Sequence, residues 1–125
     1  MSSSHYLSRI KKKSNGDIAC VNDEEFKFHE IAFHDWIAEH TGYQVGSDEY
    51  HRLYESNIQY LLSVCRQVSN NHMLANILLP TRGLPGEEPD YSTHYFNEVN
   101  RTRDALVQIL EEMDWDCEEL YYYVV

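Results

Sequence analysis

The stretch that decides the fold is 93–114, THYFNEVNRTRDALVQILEEMD. Its apolar residues recur at steps of three and four, which is the pattern of one face of an α-helix of about six turns. A helix with a single apolar stripe has to pack against another element, so we expect this helix to form one wall of the core. The stripe consists of Phe96, Val99, Leu106, Leu110 and Met113.

Three earlier segments are predicted to supply the other helices. Asn22 and Glu25 have the spacing of a capping box, and a broad apolar surface follows, so we expect a helix from Asp23 to about His40. Between Ser47 and Asn70, apolar residues repeat at alternating steps of four and three, which predicts a second helix. The residues 72–79 are rich in helix formers and predict a short third one.

Both ends of the chain favour β-structure. Residues 6–21 place Asn15-Gly16 between two short apolar stretches, a pattern typical of a β-hairpin. The three tyrosines at 121–123 prefer an extended strand. We expect this run to add a third strand to the hairpin, because a hairpin of two strands alone is marginal in water.

The expected fold is mainly α, of the α+β kind. It is a bundle of three to four helices with a small antiparallel β element from the hairpin and the C-terminal strand. We expect one domain over 1–125, with the hairpin at 6–21, a helical core at 23–114 and an acidic and aromatic tail at 115–125. The hydrophobic fraction of 42% is enough for one core without a metal or a disulfide.

Composition also limits the class of protein. No apolar run approaches the roughly 18 residues that a membrane span needs, and the first residues lack the apolar segment of a signal peptide. A cytoplasmic protein is therefore expected. Cys20, Cys65 and Cys117 are odd in number and far apart, so they indicate neither a disulfide framework nor a thiolate zinc site. We interpret them as small buried residues.

Charge is the strongest compositional feature. The chain has 21 acidic and 10 basic residues, which gives a net charge of -11. Such a charge repels nucleic acid and attracts proteins with a basic surface. We therefore expect a protein partner with a basic surface, and no direct contact with nucleic acid or a membrane.

The residues predicted to contact that partner are mainly carboxylates, because helices can hold carboxylates at spacings that resemble the phosphates of nucleic acid. The ten tyrosines exceed what one core needs, and tyrosine is enriched at protein interfaces, so a homodimer is an alternative. The loop 80–90 and the tail contribute most of the set. Its members are Glu87, Glu88, Asp90, Glu111, Glu112, Asp114, Asp116, Glu118, Glu119, Tyr60 and Tyr121.

A metal-dependent hydrolase is the second hypothesis. His29, His34 and Asp35 lie close together in the sequence, and imidazole and carboxylate groups are zinc ligands. A histidine beside Phe33 and Trp36 is, however, more often a core residue with one hydrogen bond. The sequence has no His-Glu-x-x-His motif and no glycine-rich phosphate loop. We therefore assign no catalytic residue and expect no cofactor.

Four short motifs carry a resemblance to a known family. They are IAFHDW at 31–36, LLPT at 78–81, Gly83, and YFNE at 95–98. In this order and spacing they resemble a family of small phage and prophage proteins that have no assigned chemistry. The resemblance covers roughly 6–112.

The resemblance implies a role, since small phage proteins of this kind often inhibit or redirect a host protein. The chain departs from the family in the loop 84–89, LPGEEP, where the family carries an aromatic-rich segment, so contacts made by that loop differ here. We expect an anti-CRISPR-like or other anti-defence inhibitor of a host nucleic-acid-handling complex, acting in the host cytoplasm. The alternatives are the hydrolase and a structural or assembly partner.

Overall fold

The computed structural model describes residues 4–12, 18–46, 49–82 and 91–125; for residues 12 and 18–24 it describes the backbone only. The described part of the chain contains four strands, four α-helices and one 3-10 turn. They are β1 (His5–Lys12), β2 (Ile18–Phe28), α1 (Ile31–Thr41), β3 (His51–Leu53), α2 (Glu55–Asn70), a 3-10 turn (His72–Leu74), α3 (Ala75–Leu78), α4 (Thr93–Glu112) and β4 (Glu118–Val124).

The strands form one antiparallel sheet in the order β2-β1-β4-β3. β1 and β4 pair along most of their length, from His5 opposite Val124 to Lys11 opposite Glu118. The inner side of the sheet and the helices share one buried core. The prediction of a mainly α bundle with a small β element is therefore wrong. The protein is an α+β fold in which a four-stranded sheet is a principal layer.

The first predicted helix is wrong over its first third. Residues 23–28 belong to β2, which pairs with β1 from Phe28 opposite His5 to Ile18 opposite Lys12. α1 begins only at Ile31. The local preference of the capping box is worth about 1 kcal/mol, whereas the strand gains a ladder of backbone hydrogen bonds and buries Phe28. Pairing with β1 therefore outweighs the cap.

The second predicted helix begins eight residues later than expected. Residues 51–53 form β3, which pairs with β4, and α2 begins at Glu55. Tyr54 is the capping residue, and its backbone N–H donates to Asn57 Oδ1 over 2.8 Å. A strand of three residues is too short to show a sequence pattern of its own. β3 is therefore recognised only by its pairing with β4.

Three further predicted elements agree with the structure. α4 is confirmed and ends two residues earlier than predicted, and its apolar stripe packs against that of α2. β4 is confirmed as a third strand beside the hairpin, and the short third helix is confirmed as the 3-10 turn with α3. The hairpin turn at 13–17 and the loop residues 83–90 lie outside the described residues.

Two smaller findings concern cysteines and membranes. Cys65 is buried as expected, but Cys117 is exposed in the turn before β4, so the buried interpretation is wrong for it. The side chain of Cys20 is not among those described. Within the described ranges, no helix combines the length and the apolar character that crossing a membrane requires.

Candidate functional site

A cleft of about 850 Å³ opens where β1 begins and where β2 and β4 end, beside the first turns of α1. Antiparallel pairing brings these three strand ends to the same edge of the sheet. The volume falls within the usual range of small-molecule pockets, roughly 300–1,000 Å³. Its polar lining includes His5, Lys27, His29, His34 and Arg82.

Two histidines in this cleft share one tyrosine. His5 Nδ1 lies 3.0 Å from the Tyr122 hydroxyl, and His34 Nδ1 lies 2.6 Å from the same oxygen. The centroids of the two imidazole rings are 4.6 Å apart. The three residues come from β1, α1 and β4, so only the folded chain brings them together.

The register of β1 and β4 explains why His5 and Tyr122 lie close together. Leu7 is opposite Tyr122 in the β1–β4 ladder, and His5 is two residues away on the same side of β1. His5 is therefore a diagonal neighbour of Tyr122, within reach of an aromatic side chain. Tyr43 packs with its ring edge-on to both Tyr122 and His34, at centroid distances of 5.1 and 5.6 Å, and limits how far either ring can turn.

Burial keeps the cluster uncharged at neutral pH. Loss of hydration, with a smaller contribution from His34, lowers the pKa of His5 to about 4. Burial likewise lowers the pKa of His34, although Asp35 opposes the change. The phenol of Tyr122 has its pKa raised by the same cause. The site thus holds two neutral imidazoles and one neutral phenol.

The charged groups that line the cleft are cations. Arg82 lies at the rim, where its Nε and Nη2 donate to the two carboxylate oxygens of Asp35 over 2.8 and 3.0 Å. Lys27 is exposed, with its Nζ 5.7 Å from the centroid of the Tyr6 ring. No aspartate or glutamate among the described residues lines the cleft. Asp35 offsets the charge of Arg82, so the unpaired charge lining the cleft, among the described residues, is that of Lys27.

The residues of the metal hypothesis are engaged separately. His29 Nδ1 lies 3.4 Å from Glu98 Oε2, His34 contacts Tyr122, and Asp35 is paired with Arg82. No group of three or more histidine, cysteine, aspartate or glutamate side chains in the described part of the chain is arranged to hold a metal ion. His29 and His34 both line the cleft, but they do not converge with Asp35 on one point.

The predicted acidic surface is smaller than the sequence suggests. Glu118 pairs with Arg9 at 3.3 Å, and Glu119 is buried and pairs with Arg52. These two carboxylates are neutralised within the sheet. The other four of the tail are exposed at the end of α4 and in the turn that follows; they are Glu111, Glu112, Asp114 and Asp116. Three further members of the predicted set lie outside the described residues, namely Glu87, Glu88 and Asp90.

The two predicted tyrosines occupy different surfaces. Tyr60 is exposed on α2, where its ring stacks on His40 and meets Trp36 edge-on. Tyr121 is half-buried on the outer side of the sheet and donates to Glu119 over 3.1 Å. Neither lies in the cleft.

Sequence reasoning missed His5, Tyr122, Lys27 and Arg82 as members of a site. Alternation along β4 does indicate that one of its three consecutive tyrosines points inward. Nothing in the sequence, however, connects that tyrosine with a histidine 117 positions away. The connection depends on the pairing of β1 with β4.

Comparisons of the chain with protein-family models, curated proteins and solved structures give no match. The resemblance to small phage proteins therefore stays a prediction.

Proposed function

We propose that this protein binds a small anionic molecule in the cleft beside α1. The ligand carries a carboxylate or a phosphate group. The observation that supports this most directly is the lining: its charged side chains are the cations Lys27 and Arg82, in a chain with 21 acidic and 10 basic residues. Asp35 offsets the charge of Arg82, and Lys27 has no carboxylate partner among the described residues. A cation at a cleft raises the local concentration of anions there.

Arg82 is the expected anchor for the anion. Asp35 occupies its Nε and Nη2, which leaves Nη1 without a partner among the described residues. The pairing holds the planar guanidinium at the rim in a fixed orientation. Guanidinium groups bind carboxylate and phosphate oxygens through charge-assisted hydrogen bonds, so one free N–H edge suits an anionic ligand.

The histidines supply the polar contacts for the uncharged part of the ligand. The Nε2 atoms of His5 and His34 have no hydrogen-bond partner among the described residues, and neither atom is enclosed by protein. Both residues line the cleft. A few precisely placed polar groups in a pocket are the usual basis of the orientation and selectivity of ligand binding.

The test is a titration with phenyl phosphate, followed by NMR shifts of the histidine rings. We expect saturable shifts at His5 and His34 and an affinity that falls with added salt. Arg82→Gln should weaken binding about tenfold, as expected for the loss of one charge-assisted hydrogen bond.

Arg103→Gln is the matched control, because Arg103 also pairs with an exposed aspartate, at 3.0 Å, but lies outside the cleft. It should leave the affinity unchanged. Shifts that never saturate, or an equal loss of affinity in Arg82→Gln and Arg103→Gln, would refute the proposal.

The second candidate function is inhibition of a host protein that handles nucleic acid. One observation favours it: Glu111, Glu112, Asp114 and Asp116 are exposed together and form no ion pair with a described side chain. Such a group can occupy a basic channel.

Pulldown with the wild-type chain should then recover a nucleic-acid-handling protein in a salt-sensitive manner. A variant with these four side chains changed to their amides should not. A variant with Glu39, Glu55, Asp104 and Glu49 changed in the same way is the control of equal charge. Equal capture by both variants would refute this candidate.

A further inference from the structure

The shared hydroxyl of Tyr122 limits the protonation states of its two neighbours. Tyr122 is fully buried, and the described residues offer its hydroxyl no partner except the Nδ1 atoms of His5 and His34. The hydroxyl has one proton, so it can donate to one Nδ1 only. The other Nδ1 must carry a proton and donate to the phenolic oxygen, because two acceptors facing each other would be left unsatisfied.

The two bond lengths indicate the direction of donation. Hydrogen bonds from hydroxyl groups are usually shorter than those from N–H groups, which centre near 2.9–3.0 Å. The contact of 2.6 Å fits donation by Tyr122 to His34, and the contact of 3.0 Å fits donation by His5 to Tyr122. In this arrangement His5 has a lone pair on Nε2, and His34 has an N–H on Nε2.

We propose that His5 and His34 form a neutral base and acid pair, bridged by Tyr122, that interconverts the keto and enol forms of an anionic carbonyl compound. This inference rests on the proposed function, because the anion at Arg82 would hold the molecule against the pair. The rings are close enough, at 4.6 Å between centroids, to act on adjacent atoms of one small molecule.

The proton movements balance without forming an ion. His5 Nε2 removes the proton from the carbon next to the carbonyl group, while His34 Nε2–H gives its proton to the carbonyl oxygen. The C–H bond electrons form the new C=C bond, and the C=O π electrons form the O–H bond. At the same time His5 Nδ1 passes its proton to Tyr122, and Tyr122 passes its own to His34 Nδ1. Both histidines end neutral, with their tautomers exchanged.

This relay suits a buried site. A single histidine acting alone as base would become an imidazolium ion, which burial disfavours here. Passing a proton on through Tyr122 leaves both imidazoles neutral and avoids that cost. The reverse reaction, or exchange of the Nε2 proton with water, restores the starting tautomers.

The first measurement is the tautomeric state of the histidines in the wild-type chain, read from ¹⁵N shifts and couplings at neutral pH. We expect His5 to be protonated on Nδ1 and His34 on Nε2. Tyr122→Phe removes the bridge and should bring both rings to the same tautomer. Identical tautomers in the wild type, or an imidazolium ion at either position, would overturn the inference.

The second measurement uses phenylpyruvate as the probe and follows deuterium exchange at its C3 position by NMR. Tyr122→Phe should slow the exchange about a hundredfold, the usual effect of general acid–base catalysis. Its affinity for phenylpyruvate should change by less than about twofold. Tyr95→Phe is the control, because Tyr95 is also a buried tyrosine but donates its hydroxyl to the Leu79 carbonyl oxygen outside the cleft.

The outcomes separate the two proposals. Absence of phenylpyruvate and phenyl phosphate binding to the wild type would refute the anion site. Binding with no faster exchange in the wild type than in Tyr122→Phe would refute the relay alone. Melting temperatures of the variants show whether a loss of exchange reflects unfolding, and the wild-type tautomers decide the matter if a variant does not fold.

Discussion

The cleft and the acidic end of α4 are opposite in nearly every respect. The cleft is partly buried, has Lys27 and Arg82 as its charged lining side chains among the described residues, and is built from residues far apart in the sequence. The acidic end is exposed, negative and formed by neighbouring residues of 111–116. The difference teaches that the net charge of a chain does not describe each of its surfaces. The fold can bring basic side chains together in one place.

Truncation of Tyr122 should give the largest difference in stability between a change in the cleft and a change in the acidic end. Tyr122→Ala removes a fully buried ring that packs on Tyr43 and Phe28, so we expect unfolding to become easier by about 3–5 kcal/mol. Asp116→Ala removes an exposed side chain and should change stability by less than about 0.5 kcal/mol. Denaturant unfolding of both variants measures the difference, and similar values would contradict the picture of a packed site.

Lowering the pH should reduce the stability that the cleft contributes to the fold before it affects the acidic end. The pKa of His5 is about 4 in the folded chain and 6.5 for an unperturbed histidine, so the unfolded chain binds more protons between these values. Stability conferred by neutral His5 is complete above pH 6.5 and is lost as the pH falls to about 4. The loss amounts to about 3 kcal/mol at most.

Melting temperatures between pH 7 and pH 4 test this contribution. His5→Gln should flatten the dependence over that range, because an amide does not titrate. His40→Gln is the control, since His40 is exposed and lies outside the cleft. An unchanged pH profile in His5→Gln would mean that burial of His5 does not set the acid response.

A smaller effect distinguishes carboxylates within the tail itself. Glu119→Gln should destabilise the fold by about 1–2 kcal/mol, because Glu119 is buried and the change removes the charged partner of Arg52. Glu111→Gln should change stability by less than about 0.5 kcal/mol, since Glu111 is exposed. Chemical denaturation measures the change in stability of each variant. Equal changes would mean that Glu119 contributes no more to stability than a surface carboxylate does.

Helices could be predicted wherever periodicity extends over several turns. α4 and most of α2 follow from apolar residues at steps of three and four, which is a local property. The boundary between β2 and α1 could not be predicted, because residues 22–28 carry both a capping box and two phenylalanines at a spacing of two. Pairing with β1 decided in favour of the strand.

The candidate site was predicted only in part. His34 was singled out from the sequence, but with His29 and Asp35 as metal ligands rather than with Tyr122. The acidic tail was treated as one surface, although Glu118 and Glu119 face arginines of neighbouring strands. Both differences have the same origin: the partner of each side chain lies on another element.

By itself, the sequence determined the long amphipathic helices, the strand-forming ends and the excess of negative charge, because these depend on residues close together along the chain. The tertiary structure alone decided the size of the sheet, which carboxylates stay exposed, and the meeting of His5, His34 and Tyr122. Strand pairing joins distant segments through backbone hydrogen bonds that every residue except proline can make. The side chains therefore say little about which segments will pair.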